Sequence, residues 1–231
     1  SASTVEKYIR DVRCFEKRFH GRKVEKSGVL EYKRELCENY APRSVNSILS
    51  SLNTFFAYIS RHDLRVKTLK IQRQIFADEQ RELSRGEYER LLSAAKRAKK
   101  ERLYCLLQAL GSTGLRISEL SSVTVEAVKE SVATINCKGK IRQVFLPKQL
   151  CRLLLSYAKK HGIKKGAVFV TRNGNPLNRS NIWTEMKKLC RSANVSEKKV
   201  FPHNLRHLFA RIYYSIEKDI VRLADILGHS S

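Results

Sequence analysis

Apolar residues recur at helical spacing along the N-terminal part of the chain. Val5, Tyr8, Ile9, Val12 and Phe19 form one stripe, and Val45, Ile48, Leu49, Leu52, Phe56 and Ile59 form another. Gly21 and Gly28 lie between them and suit helix ends, and Pro42 suits the first turn of a helix, where an amide hydrogen would be unpaired anyway. The pattern predicts a small all-helical domain. From about Arg65 to Leu83 the periodicity weakens and Lys67, Lys70, Arg73, Asp78, Glu79, Arg81 and Glu82 crowd together, as in an interdomain linker. A helix then starts sharply. Ser84 and Glu87 have capping-box spacing, and Leu83 and Tyr88 stand where a hydrophobic staple would close. The boundary is therefore expected near residue 80, with a helical domain and linker over 1–79 and a second domain over 80–231.

In the second part, Leu103, Leu106, Leu107 and Leu110 predict a buried helix, with Gly111 placed to end it. The period then changes. Residues 131–137 and 141–146 are short, rich in Val, Ile and Thr, and joined by Lys138, Gly139 and Lys140, which predicts a β-hairpin with glycine in its turn. Helical spacing returns at Leu150, Leu153, Leu154 and Tyr157, at Ile182, Met186 and Leu189, and at Leu205, Leu208, Phe209 and Ile212. The expected fold is mainly α: a small helical bundle, then a mostly helical domain carrying one small antiparallel sheet.

Charge adds a partner to this picture. The chain has 46 Lys and Arg against 22 Asp and Glu, a net +24 at pH 7. Solubility alone asks for only about 2 to 8. Residues 1–78 carry +7 and residues 79–231 carry +17, so both parts are expected to meet phosphate, with nucleic acid as the partner. The cysteines at 14, 37, 105, 137, 151 and 190 form no C-x-x-C pair and fall mostly in apolar segments. They read as reduced core residues of a cytoplasmic protein, neither a zinc site nor a disulfide frame. No apolar run approaches the roughly 18 residues of a membrane span, and no signal peptide is visible.

Three patterns carry candidate chemistry: T-G-L-R-I-S-E-L at 113–120, the hairpin lysines, and H-N-L-R-H at 203–207 followed by L-G-H at 227–229. Taken singly, each has an ordinary explanation, since arginines after glycine turns and hairpin lysines are usually solvated. Attack on a phosphodiester, however, builds charge on two non-bridging oxygens, and fixed cations are needed to stabilise it. Arginine suits this because its planar fork donates two parallel hydrogen bonds and keeps its charge. Arg116 and Arg206 are the candidate clamp. A lysine beside two arginines should have a depressed pKa and can protonate a leaving oxygen, a role open to Lys138 or Lys140. His203 and Arg206, three apart on a helix, share a face and can address one phosphate, whereas His207 is expected to face elsewhere.

In this order and spacing the patterns resemble the tyrosine recombinase (phage integrase) family over nearly the whole chain. The resemblance implies a SAM-like core-binding domain followed by a catalytic domain. It also implies strand cleavage through a 3′-phosphotyrosine and rejoining, without metal or nucleotide cofactor, in site-specific recombination or DNA integration by a prokaryote or mobile element. It assigns Arg116, Lys138, His203, Arg206 and His229 as catalytic and Glu119 as the partner that orients Arg116. The family's nucleophilic tyrosine stands about two to three helical turns after the L-G-H histidine. Tyr213 and Tyr214 precede His229 and Ser231 is the last residue, so the expectation is a truncated chain that grips DNA without cleaving it. The family's tail also docks on neighbouring protomers, so assembly of dimers to tetramers on DNA would be weakened.

Further DNA contacts are expected from two helix starts. Arg43, Ser44, Asn46 and Ser47 open one, opposite the apolar stripe from Val45 to Ile59; simple capping explains them equally well. Arg179, Ser180 and Asn181 repeat the design ahead of Trp183, at a position that resembles one entering the major groove in the family. Lys67, Lys70 and Arg73 suit a linker lying along the phosphates, and Lys140 a hairpin tip in a groove. The alternatives are a DNA-binding regulator without chemistry, which gives no reason for the ordered set of cations and histidines, and a type IB topoisomerase, which usually has lysine where His203 stands. A metal-dependent nuclease would need clustered carboxylates that the second domain lacks.

Overall fold

The computed structural model describes residues 2–71, 81–137, 140–171, 173–175 and 177–228, with backbone alone at residues 2, 3, 137 and 140. The chain divides into two compact units, Ser1–Ile75 and Phe76–Ser231. Arg73, Lys138 and His229, and the side chain of Lys140, lie outside the described residues. Among the described residues no helix is long and apolar enough to cross a membrane.

The first unit is built from α1 (Ala2–Phe19), α2 (Lys26–Asn39) and α3 (Pro42–Tyr58), followed by a 3-10 turn at His62–Leu64. Pro42 occupies the first turn of α3, whose Val45, Leu49, Leu52 and Phe56 point into a core with Phe15, Val29, Leu36, Leu64 and Val66. Phe15 meets Tyr32 and Phe56 edge-on at 5.2 and 5.5 Å, the geometry that ring quadrupoles favour. The buried arc of α1 is turned away from the stripe read in the sequence. Val5 and Ile9 are 56% and 45% exposed, whereas Asp11 is buried. Ser51 on α3 donates to the Asp11 carboxylate at 2.8 Å and Lys7 pairs with it, so a carboxylate replaces an aliphatic side chain in the seam between α1 and α3.

The second unit contains α4 (Arg85–Arg97), α5 (Glu101–Thr113), a 3-10 helix at Ile117–Ser122, α6 (Val125–Glu130), strands β1 (Val132–Cys137) and β2 (Lys140–Phe145), then α7 (Lys148–Lys160), α8 (Arg179–Ala193), α9 (Pro202–Glu217) and α10 (Ile220–Leu227). Ser84 and Glu87 close the capping box of α4 from both sides. Helix α5 is apolar around most of its circumference and contacts α4, α7, α8 and α9, the behaviour of a central helix. The strands pair antiparallel, with Val132 opposite Phe145 and Asn136 opposite Ile141. Asn204 is buried at the start of α9 and donates to the Arg81 and Lys199 carbonyls, both at 2.7 Å. That bond pair fixes the entry of α9 against the segment leading into α4.

Two sequence expectations change. Gly111 does not end α5, which runs on to Thr113; a Cβ there would sit 2.5 Å from the Tyr88 hydroxyl, so this glycine lets α4 and α5 approach. Of the cysteines described, Cys105, Cys151 and Cys190 are buried, but Cys14 and Cys37 are exposed. Both lie on the outward faces of amphipathic helices, Cys14 on α1 and Cys37 on α2.

Candidate active site

The chain leaves α5 through Gly114, whose φ of +65° is the left-handed conformation that glycine adopts without strain. A Cβ at Gly114 would lie 2.5 Å from a Phe209 ring carbon and 2.9 Å from Leu227 Cδ2. The bare α-carbon therefore allows α9 and α10 to close on this turn. We expect Gly114→Ala to destabilise the second unit by about 2–4 kcal/mol through backbone strain and overpacking, read as a lower urea midpoint with unchanged m-value.

After this turn Arg116 is extended and precedes the 3-10 helix that brings Glu119 back beside it. The Arg116 backbone N–H donates to Glu119 Oε2 at 2.8 Å and its Nη1 to Oε1 at 2.9 Å. Glu119 is 4% exposed. A second guanidinium reaches the same carboxylate: Arg142 on β2 donates through Nη2 to Oε2 at 2.9 Å and through Nη1 to Oε1 at 3.4 Å. Its Nε donates to the Ile226 carbonyl at 3.3 Å. The one carboxylate thus holds the turn after α5 to the hairpin, and Arg142 holds the hairpin to the last turn of α10.

Arg206 completes the cluster from α9. It is 4% exposed, donates through Nη1 to the Gly114 carbonyl at 2.7 Å, and donates through Nη2 to the Leu227 carbonyl. The terminal carbonyls of α10 carry the negative end of the helix dipole, so two guanidiniums there are favourable. Burial, together with the neighbouring Arg116 and Arg142 charges and against Glu119, pushes the Arg206 pKa down to about 10. It stays charged at neutral pH. Three guanidiniums around one carboxylate leave two positive charges in excess. Arg116, with its side chain 39% exposed, is the member most open to solvent. Such a cluster binds an anion with charge-assisted, directional hydrogen bonds.

His203 stands exposed in the first turn of α9, one turn before Arg206. His207 does not face elsewhere: its ring meets that of His203 edge-on, with centroids 4.4 Å apart, because residues four apart are neighbours on a helix. Lys138 and His229 fall outside the described residues, although Gly228, which precedes His229, packs against Arg142 and the α10 end beside the cluster. Arg142 was missed in the sequence.

Arg43 and Ser44 are exposed at the start of α3, and Lys67 and Lys70 are exposed beyond it. Asn46 departs from expectation. Its Nδ2 donates to the Leu69 carbonyl at 2.9 Å and its Oδ1 accepts from the Leu69 amide at 2.7 Å, so the amide is already paired with backbone and is not a free reader of DNA. Asn53 holds Val66 in the same way. Arg179, Ser180 and Asn181 are exposed in the first turn of α8, where Asn178 Oδ1 accepts from the Ser180 amide at 2.8 Å.

Comparison with known proteins matches residues 81–231 to the phage integrase family. Tyrosine recombinase XerC of Caldanaerobacter subterraneus subsp. tengcongensis is 29% identical over 199 residues, 79% of this chain and 55% of that protein. Tyrosine recombinase XerD of Pseudomonas putida is 30% identical over 209 residues, covering 84% of this chain and 70% of its own length. The chain therefore spans little more than half of the first relative. A lambda integrase dimer bound to a COC′ core site has the same fold, with a TM-score of 0.77 at 15% identity over 100% of this chain and 69% of that one. The family match takes in Arg116, Glu119, Arg142, His203 and Arg206 together, and the chain belongs to the phage integrase family, the tyrosine recombinases.

Proposed function

We propose that this protein binds a duplex DNA recombination site and activates one scissile phosphate for cleavage and rejoining through a 3′-phosphotyrosine. The observation that carries the reading is the guanidinium cluster, in which Arg116 and Arg142 share the Glu119 carboxylate, Arg206 stands beside them on the Gly114 and Leu227 carbonyls, and an excess of positive charge remains. In this reading Arg116 and Arg206 hold the non-bridging oxygens, where charge grows as phosphorus becomes pentacoordinate. Arg206 has five N–H donors and the two bonds above use two of them. Lys138 protonates the leaving 5′ oxygen, and His203 and His229 donate hydrogen bonds or move protons at the same phosphate. Glu119 orients Arg116.

Arg43, Ser44, Lys67, Lys70, Arg73, Lys140, Arg179, Ser180 and Asn181 meet the phosphates and grooves outside the scissile position, and Asn46 contributes by holding the segment at Leu69. Copies of the chain assemble on DNA, as the lambda integrase dimer does on its core site.

Gel shift and filter binding test this. If six to ten phosphates are neutralised, affinity for a duplex pool should fall by about 10³–10⁵ between roughly 50 and 200 mM salt. Equal affinity at both salt concentrations would count against it.

A further inference from the structure

We propose that Trp183 is a specificity-determining residue that contacts base edges in the major groove and favours thymine through its methyl group; this rests on the DNA-binding reading above. The chain has one tryptophan. Helix α8 buries Ile182, Met186, Leu189, Cys190 and Ala193, while the Trp183 indole lies at the edge of that face and is 45% exposed. A large apolar ring left in water is the kind of surface that marks an interaction site when its neighbours share one character.

The neighbours do. Arg179, Trp183 and Lys187 stand at successive one-turn steps along one side of α8, with Ser180 and Thr184 beside them. The Lys187 ammonium lies 4.6 Å from the indole centroid, and Lys188 and Arg191 continue the positive side toward the C-terminus. Glu185, the helix's one acidic residue, is paired with Arg102 at 2.8 Å. The strip is therefore an apolar plate flanked by cations.

Two hydroxyl and amide groups that would otherwise compete for bases are already engaged. Asn178 accepts from the Ser180 amide, and the Thr184 hydroxyl donates to the Ser180 carbonyl at 3.0 Å. The indole then stands between charge at both ends, with Ser180 and Asn181 exposed at the start of the helix. Duplex DNA presents the matching surface: the major groove admits a helix, phosphates line its edges, and each thymine exposes a C5-methyl group on its floor. Arg179 and Lys187 then take phosphates while the indole packs on the base edge. An acidic protein surface would satisfy the cations but offers no reason for the ring between them.

The test uses the full 231-residue chain and its Trp183→Ala and Trp183→Phe variants in a selection from random duplex DNA. The wild type should enrich a motif with thymine at one or two adjacent positions, and Trp183→Ala should lose that preference while its affinity for unselected DNA changes by less than about threefold. Replacing that thymine by uracil, which lacks only the methyl, should weaken the wild type about fourfold and leave Trp183→Ala unchanged. Emission from the one tryptophan should shift or quench as duplex saturates the protein, and Trp183→Phe, which keeps a ring, should retain part of the preference. An unmoved emission at saturation, identical motifs in wild type and Trp183→Ala, or no uracil effect overturns the assignment and leaves the DNA-binding reading intact. Failure of the wild-type chain to retain any duplex at low salt overturns both.

Discussion

Arg116→Ala is expected to remove strand cleavage without unfolding the protein. With a tyrosine-bearing segment joined after Ser231 and a nicked duplex site as substrate, covalent adduct should fall by at least about 10²–10³-fold, the scale for losing a fixed donor to a developing oxyanion. Gel-shift affinity should stay within about threefold, because one contact of many is lost. The Arg116 side chain is 39% exposed and its single protein partner among the described hydrogen bonds is Glu119, so little packing goes with it. Arg206→Ala should differ in kind. That side chain is buried and bridges the Gly114 and Leu227 carbonyls, so its loss should abolish the adduct and also lower stability by about 2–4 kcal/mol. Arg206→Lys keeps a charge and loses the fork, and is expected to recover stability before activity. Adduct formation that survives both alanine substitutions would falsify the assignment of the phosphate clamp.

Glu119→Ala should be the most destabilising substitution in the cluster, at about 3–5 kcal/mol, because it removes the one carboxylate from among three guanidiniums and leaves buried positive charge unpaired. Adding Arg142→Ala to it should cost much less than the sum of the two single changes, since Arg142 is the most buried of Glu119's ion-pair partners. Denaturant melts of the four proteins in that cycle give the coupling directly. A coupling near zero would show that the two side chains are not joined as the geometry has them. Adduct formation by Glu119→Gln, which keeps one acceptor and adds a donor facing the guanidiniums, should fall even where the fold survives, because Arg116 then lacks the fork that aims it.

Much of this was legible in the chain. Helical stripes, the Ser84–Glu87 capping box and the hairpin are set by interactions within a few residues, and the structure has them. Arg116, Glu119 and Arg206 could be named as candidates through the resemblance of their ordered motifs to the tyrosine recombinase family, each pattern having an ordinary explanation when taken singly.

Arg142 was hidden by its own strand. On β2, Ile141 and Phe145 have the apolar character of a core face but are 71% and 72% exposed, while Arg142 shares the inward face with Val144. Alternation alone cannot tell which of two mixed faces turns inward, because a strand is symmetric to its own period. The choice is made by Glu119 and the Ile226 carbonyl, which lie 23 and 84 residues away and give that guanidinium its partners. Gly111 and Asn46 were misjudged for a related reason: each obeys a local rule for helix ends or exposed polar residues, but Tyr88 and Leu69 claim them in space.

The sequence by itself determined the helical architecture, the surplus of positive charge and the residue types able to grip a phosphate, since all three follow from local periodicity and composition. The tertiary structure alone decided that Arg116, Arg142 and Arg206 gather around one carboxylate and the end of α10. That gathering depends on contacts between segments far apart in the chain, and no local pattern records the distance between two side chains.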